Sequence, residues 1–154
     1  MLCIAAATVA HSALAAPLPH LCTAGERIVF ACKAKTKLVS LCAQGDLTSP
    51  TGVLTYRFGK PGLTPELTFS SSPGGAKKAF SYTDEGSAKT TSIDIGFKRA
   101  GYAYHVYHTQ EADGSAAGVN VFQGNKEIAA IVCHERSAVD NTYDEMGRKG
   151  FAEQ

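Results

Sequence analysis

Gly52-Val53-Leu54-Thr55-Tyr56-Arg57-Phe58-Gly59 decides the fold class. Its side chains alternate along an extended chain, so Leu54, Tyr56 and Phe58 share one face and Val53, Thr55 and Arg57 the other. Lys60-Pro61-Gly62 then breaks the pattern as a turn. The same grammar runs outward in both directions. Residues 26–32 and 38–42 form two strands around a hairpin tip at 34–37. Residues 66–70 make a short strand, and Ser71-Ser72-Pro73-Gly74-Gly75 a loop. Strands follow at 79–82, at 91–97 with Ile93, Ile95 and Phe97 on one face, and at 102–108. A polar stretch at 110–117 reads as a loop, and strands at 118–122 and 127–133 follow it. Nothing between them keeps a helical period. The expectation is an all-β, antiparallel sandwich or barrel of about eight to nine strands, with the choice between the two left open. After Cys133 the chain turns polar, and Thr142-x-x-Glu145 predicts one short capped helix that ends near Gly150.

The first sixteen residues carry no Asp, Glu, Lys or Arg, and Leu2 to Ala10 is nearly all apolar. Ala13 and Ala15 supply small residues before Pro17, the pattern that signal peptidase reads. Residues 1–16 are therefore expected to be an export leader, and 17–154 one domain with its core over about 22–133. The missing positive flank leaves room for a start upstream of Met1. The apolar run is shorter than the roughly 20 residues of a membrane span, so no membrane insertion is expected.

Removing the leader takes Cys3 with it and leaves Cys22, Cys32, Cys42 and Cys133, an even set without any Cys-x-x-Cys pair. In an exported chain such a set reads as two disulfides. If all four are bridged, Cys133 must reach back to one of the N-terminal three, so the last strand has to lie beside the first hairpin. Cys22–Cys42 with Cys32–Cys133 is favoured, because Ile28 and Phe30, on the strand of Cys32, are expected to face the core. The other two pairings stay open. The net charge of +1 and the absence of Trp argue against nucleic-acid binding and against stacking platforms for sugars.

Enzyme signatures are thin. There is no Gly-x-Ser-x-Gly elbow. Cys133 and His134 are neighbours, so on a strand they leave opposite faces and cannot form a thiolate–imidazole pair. His105 and His108 are three apart and also diverge, which denies a single strand both ligands for one metal; His134 lacks a matching partner. No cofactor and no metal are expected. The strand at 102–108 places Tyr102, Tyr104, Val106 and His108 on one face, read as core. His105 and Tyr107 lie on the other, read as a candidate recognition face. Lys33, Lys35 and Lys37 crowd the first hairpin with Arg27 nearby and no acid between 27 and 46. Lysines of this kind guard exposed strand edges, the favoured reading, or dock an anionic partner.

The pieces Cys22-Thr23-Ala24-Gly25-Glu26, Cys32, 37–42, Tyr56-Arg57-Phe58-Gly59 and Pro65-Glu66-Leu67 resemble a group of small exported bacterial proteins of unknown function. The likeness covers about the first third of the chain after the leader, plus Cys133, and brings no catalytic residues. The overall design is also similar in architecture to periplasmic lysozyme inhibitors, although their Ser-Gly-x-x-Tyr loop is not found here. The expectation is a periplasmic or secreted, non-enzymatic binding protein whose partner is another protein: an inhibitor or immunity factor against a cell-wall-targeting enzyme. Its binding loops would be 33–37, 59–66, 70–78 and 110–117. The alternatives are a small exported hydrolase with a dispersed Ser-His-Asp triad, and a carrier of an apolar ligand inside a closed barrel. Oligomeric state is not legible.

Overall fold

A computed structural model describes residues 18–134 and 139–151. The expected leader at 1–16 lies outside the described residues. Among the described residues ten strands run in chain order: β1 (Arg27–Ala34), β2 (Lys37–Gln44), β3 (Val53–Gly59), β4 (Leu67–Ser70), β5 (Ser81–Asp84), β6 (Thr91–Arg99), β7 (Tyr102–Glu111), β8 (Gly114–Gln123), β9 (Lys126–Val132) and the two-residue β10 (Val139–Asp140). They pair antiparallel into two five-stranded sheets, β10-β1-β2-β3-β4 and β5-β6-β7-β8-β9. The sheets face one another without closing, so the fold is a sandwich and not a barrel.

The alternation explains the core. Leu54 and Tyr56 from β3, with Val39 and Leu41 from β2, meet Ile93, Ile95 and Phe97 from β6 and Val106 from β7, all buried. Aromatic rings join the two sheets at the centre. Phe97 stacks on Phe69 at 4.8 Å and on Tyr104 at 4.7 Å, and Tyr56 lies 4.9 Å from Phe97. Such pairs contribute roughly 0.5–1.5 kcal/mol each beyond the area they bury.

Several local readings need correction. A bulge between Ile28 and Phe30 breaks the alternation of β1. Ile28 then lies opposite Cys42, while Val29, Phe30 and Cys32 enter the core. Residues 79–82 are not one strand. Ala76–Ala79 closes a single helical turn (α1), with the Phe80 amide donating to the Ala76 carbonyl, before β5 begins. Ala and Lys are good helix formers, and buried Phe80 anchors the turn's end. The polar stretch 110–117 is no loop but the tip of the long β7–β8 hairpin, paired down to Glu111↔Gly114. A two-residue turn at Ala112 and Asp113 suffices to reverse the chain. Lastly, the tail after Cys133 returns as β10 against Phe30 and Ala31.

The short helix α2 (Thr142–Glu145) and a 3₁₀ turn (Gly147–Lys149) follow, and Gly150 ends them at φ 69°. Thr142 and Glu145 do not cap each other. The Thr142 amide and hydroxyl donate to Asp140, while Glu145 takes two hydrogen bonds from Arg27.

Both disulfides are Cys22–Cys42 and Cys32–Cys133, the favoured pairing. The first ties the N-terminal segment across the outer face of β2. There Leu21 donates its amide to the Ser40 hydroxyl, and Arg57 forms a two-pronged pair with Glu26 at 2.6 and 3.0 Å. Burial works to raise the Glu26 carboxyl, but Arg57 and the Thr23 amide outweigh it and hold the group below its ordinary value. The second disulfide pins the end of β9 to β1 across the sandwich. Among the described residues no helix is long and apolar enough to cross a membrane.

Candidate functional site

The β1–β2 hairpin turns through two residues, Lys35 and Thr36, and Lys35 takes a φ of 55°. That is the left-handed region, which costs a residue with a Cβ about 1–2 kcal/mol. The strained turn thrusts Lys35 out at the tip. Its amide donates to His134 Nε2 at 3.2 Å, and the His134 amide donates to the Lys33 carbonyl. Lys33 is exposed on β1. Lys37 lies over the Phe58 ring at 5.0 Å and reaches Glu66 at 2.6 Å. Lys35 has no carboxylate partner among the described residues.

The edge-guarding reading of these lysines does not survive the topology. The hairpin lies inside its sheet, between β3 on one side and β10 with His134 on the other. The edges lie elsewhere: β4 and β5 have four residues each and β10 has two, while β9 has seven. β9 is almost wholly exposed although Ile128-Ala129-Ala130-Ile131-Val132 is apolar throughout, with Val132 at 63% exposure. Between the lysine tip and this strand runs an open groove of about 350 Å³ lined by Ala34, Lys35, Lys37, Phe58, Ile131 and Val132, among others. Its floor is apolar and one lip is cationic.

Of the five candidate residues read from the sequence, Lys35 and Lys37 line this groove and Lys33 stands beside it. His105 and Tyr107 occupy the outer face of the second sheet, as expected. Tyr107 lies across Gly118, where any Cβ would strike the Ile131 carbonyl and the tyrosine ring. Gly118 is in turn opposite Val132, so Tyr107 and the groove flank β9 from two sides. His105 turns away from them. Its Nδ1 is 2.9 Å from Asp94, its ring meets Phe122 edge-on, and it lines a different groove with Lys77, Lys78 and Lys98.

The inward His108 makes the contact that the sequence did not reveal: Nδ1 lies 2.6 Å from Asp140 on β10, a part-buried bond between the two sheets. Burial pushes the Asp140 carboxyl up, but His108 and Thr142 together bring it below its ordinary value. Among the described residues no Ser or Thr hydroxyl and no thiol bonds to any histidine, so the two His–Asp pairs are not extended into a triad. The cluster Cys22, Glu26 and Cys42 has metal-ligand spacing, but both sulfurs are tied up in the disulfide. The open sandwich also removes the enclosed barrel cavity on which the carrier reading depended.

Phe58, Ala130, Ile131 and Val132 were missed as site residues. An unbroken apolar run reads as a buried strand, and only the sheet order reveals that this one lies at an edge. Comparison with protein-family models, curated proteins and solved structures returned no match.

Proposed function

We propose that this chain is an exported, non-enzymatic binding protein that recognises another protein through the groove between the Lys35 tip and β9. The observation that carries this reading is the exposed apolar strand beside a cationic lip. Soluble proteins rarely leave a contiguous apolar surface without a use for it, and long unguarded edges invite pairing. Support for export comes from the leader pattern at 1–16 and from two disulfides, which persist in oxidising compartments. The target is a cell-wall-acting enzyme, with this protein as its inhibitor or immunity factor. That part of the reading rests on the resemblance in overall design to periplasmic lysozyme inhibitors that the sequence suggests.

The test uses immobilised protein lacking residues 1–16 against periplasmic and foreign lysates, beside a Lys35→Glu/Val132→Asp variant. The wild type should retain a wall-digesting enzyme and slow its clearing of a peptidoglycan suspension, and the variant should do neither. A partner held equally well by the variant would remove the groove from the account. Capture that leaves wall digestion unchanged would remove the inhibitor assignment.

A further inference from the structure

The hydrogen-bond pattern of β9 says how the groove is filled. The Cys133 amide donates to the Ala117 carbonyl, and the register continues through Ile131↔Val119 and Ala129↔Val121. Antiparallel ladders alternate, so Ala129 and Ile131 spend their backbone groups on β8. Ala130 and Val132 then direct both N–H and C=O away from the sheet. These two residues also line the groove. Two free rungs therefore stand directly beside the apolar floor formed by Phe58 and Ile131 and beside the Lys35 ammonium. Toward the start of β9 the register slips between Val121 and Phe122, which limits regular pairing to this C-terminal half.

Resting on the groove reading above, we infer that an extended segment of another protein, with apolar residues next to Asp or Glu, adds to β9 as a further strand. Its backbone bonds to Ala130 and Val132. One apolar side chain packs on Phe58 and Ile131, and a neighbouring carboxylate meets Lys35. This is strand addition to an open edge, in which main-chain bonds give affinity and alternate side chains give specificity. A second copy of the chain fits less well. Two-fold pairing through Ala130 and Val132 brings two Lys35 side chains together, like charge against like, because each Lys35 lines the groove with its own Val132. The cationic lip selects an acidic strand instead.

The experiment titrates ¹⁵N-labelled protein lacking residues 1–16 with a peptide of about twelve residues alternating Val and Glu, and with its Val/Lys counterpart. The Val/Glu peptide should shift the Ala130, Val132 and Lys35 amides and slow exchange at Ala130 and Val132. The Val/Lys peptide should bind at least about tenfold more weakly. Ala130→Pro removes one outward N–H without touching the ladder to β8, so it should keep its melting temperature and lose about tenfold in affinity. Equal binding of the two peptides would overturn the inference, as would shifts that spare the β9 amides. A dimeric mass in sedimentation, with Ala130 and Val132 already protected, would also overturn it and assign the edge to a second copy. If the enzyme captured from lysate depends on the groove while these amides still exchange freely, strand addition fails and the binding reading stands.

Discussion

Replacing Cys32 and Cys133 together by Ala should cost more stability than replacing Cys22 and Cys42 together. The Cys32–Cys133 link spans 101 residues and Cys22–Cys42 spans 20. In the chain-entropy account the first loop restricts the unfolded chain by about 4.7 kcal/mol and the second by about 3.3 kcal/mol. Cys32 and Cys42 are both fully buried, so the space left by a lost sulfur costs about 1 kcal/mol in either variant. The gap between the two double variants is therefore the loop difference, about 1.4 kcal/mol. Against a total of about 5–15 kcal/mol for domains of this kind, the first variant should be marginal. Urea unfolding followed by far-UV circular dichroism measures both, since the chain has no Trp. Equal losses, or a larger loss for Cys22/Cys42, would refute the argument that the second disulfide closes the sandwich. If the Cys32/Cys133 variant does not fold at all, non-reducing peptide mapping of the wild type still decides: a Cys32–Cys133 peptide is expected, and a free Cys133 thiol would contradict it.

Three further outcomes follow from particular contacts. Lys35→Gly relieves a positive φ and should raise stability by about 0.5 kcal/mol in thermal melts while weakening partner capture, separating the strain from the charge. Arg57→Ala leaves the part-buried Glu26 carboxylate without its charge partner, though still bonded by the Thr23 amide, and should cost roughly 3 kcal/mol in urea; Arg57→Met with Glu26→Gln should recover most of it. Because the Asp140 carboxyl sits below its ordinary value of 3.8 in the folded chain, its contribution is complete above that value. It is lost as pH falls through the lower folded-state value, so Asp140→Asn should flatten the dependence of urea midpoints on pH between about 5 and 2.

The alternation of residues 52–59 and 91–97 made the sheets legible, and cysteine arithmetic made the chain reversal from Cys133 to the first hairpin legible. Both are local or combinatorial signals. Sheet order is neither, and it decides the site. Ile128 to Val132 has the composition of an interior strand, so its exposure emerges only when β9 proves to be last in its sheet. The bulge after Ile28 hid in the same way, because one inserted residue reverses every face beyond it without altering composition. His108 was placed on the correct face, but Asp140 lies 32 residues away and no spacing rule joins them.

Amide hydrogen exchange on the free protein tests the central claim most directly, since everything proposed for the groove requires β9 to be an open edge. Ala129 and Ile131 should be protected like their partners in β8, while Ala130 and Val132 should exchange as fast as turn amides. If instead Ala130 and Val132 are protected as strongly as Ile131 in the monomeric protein, the edge is already covered by the chain itself, and the groove cannot be the binding surface.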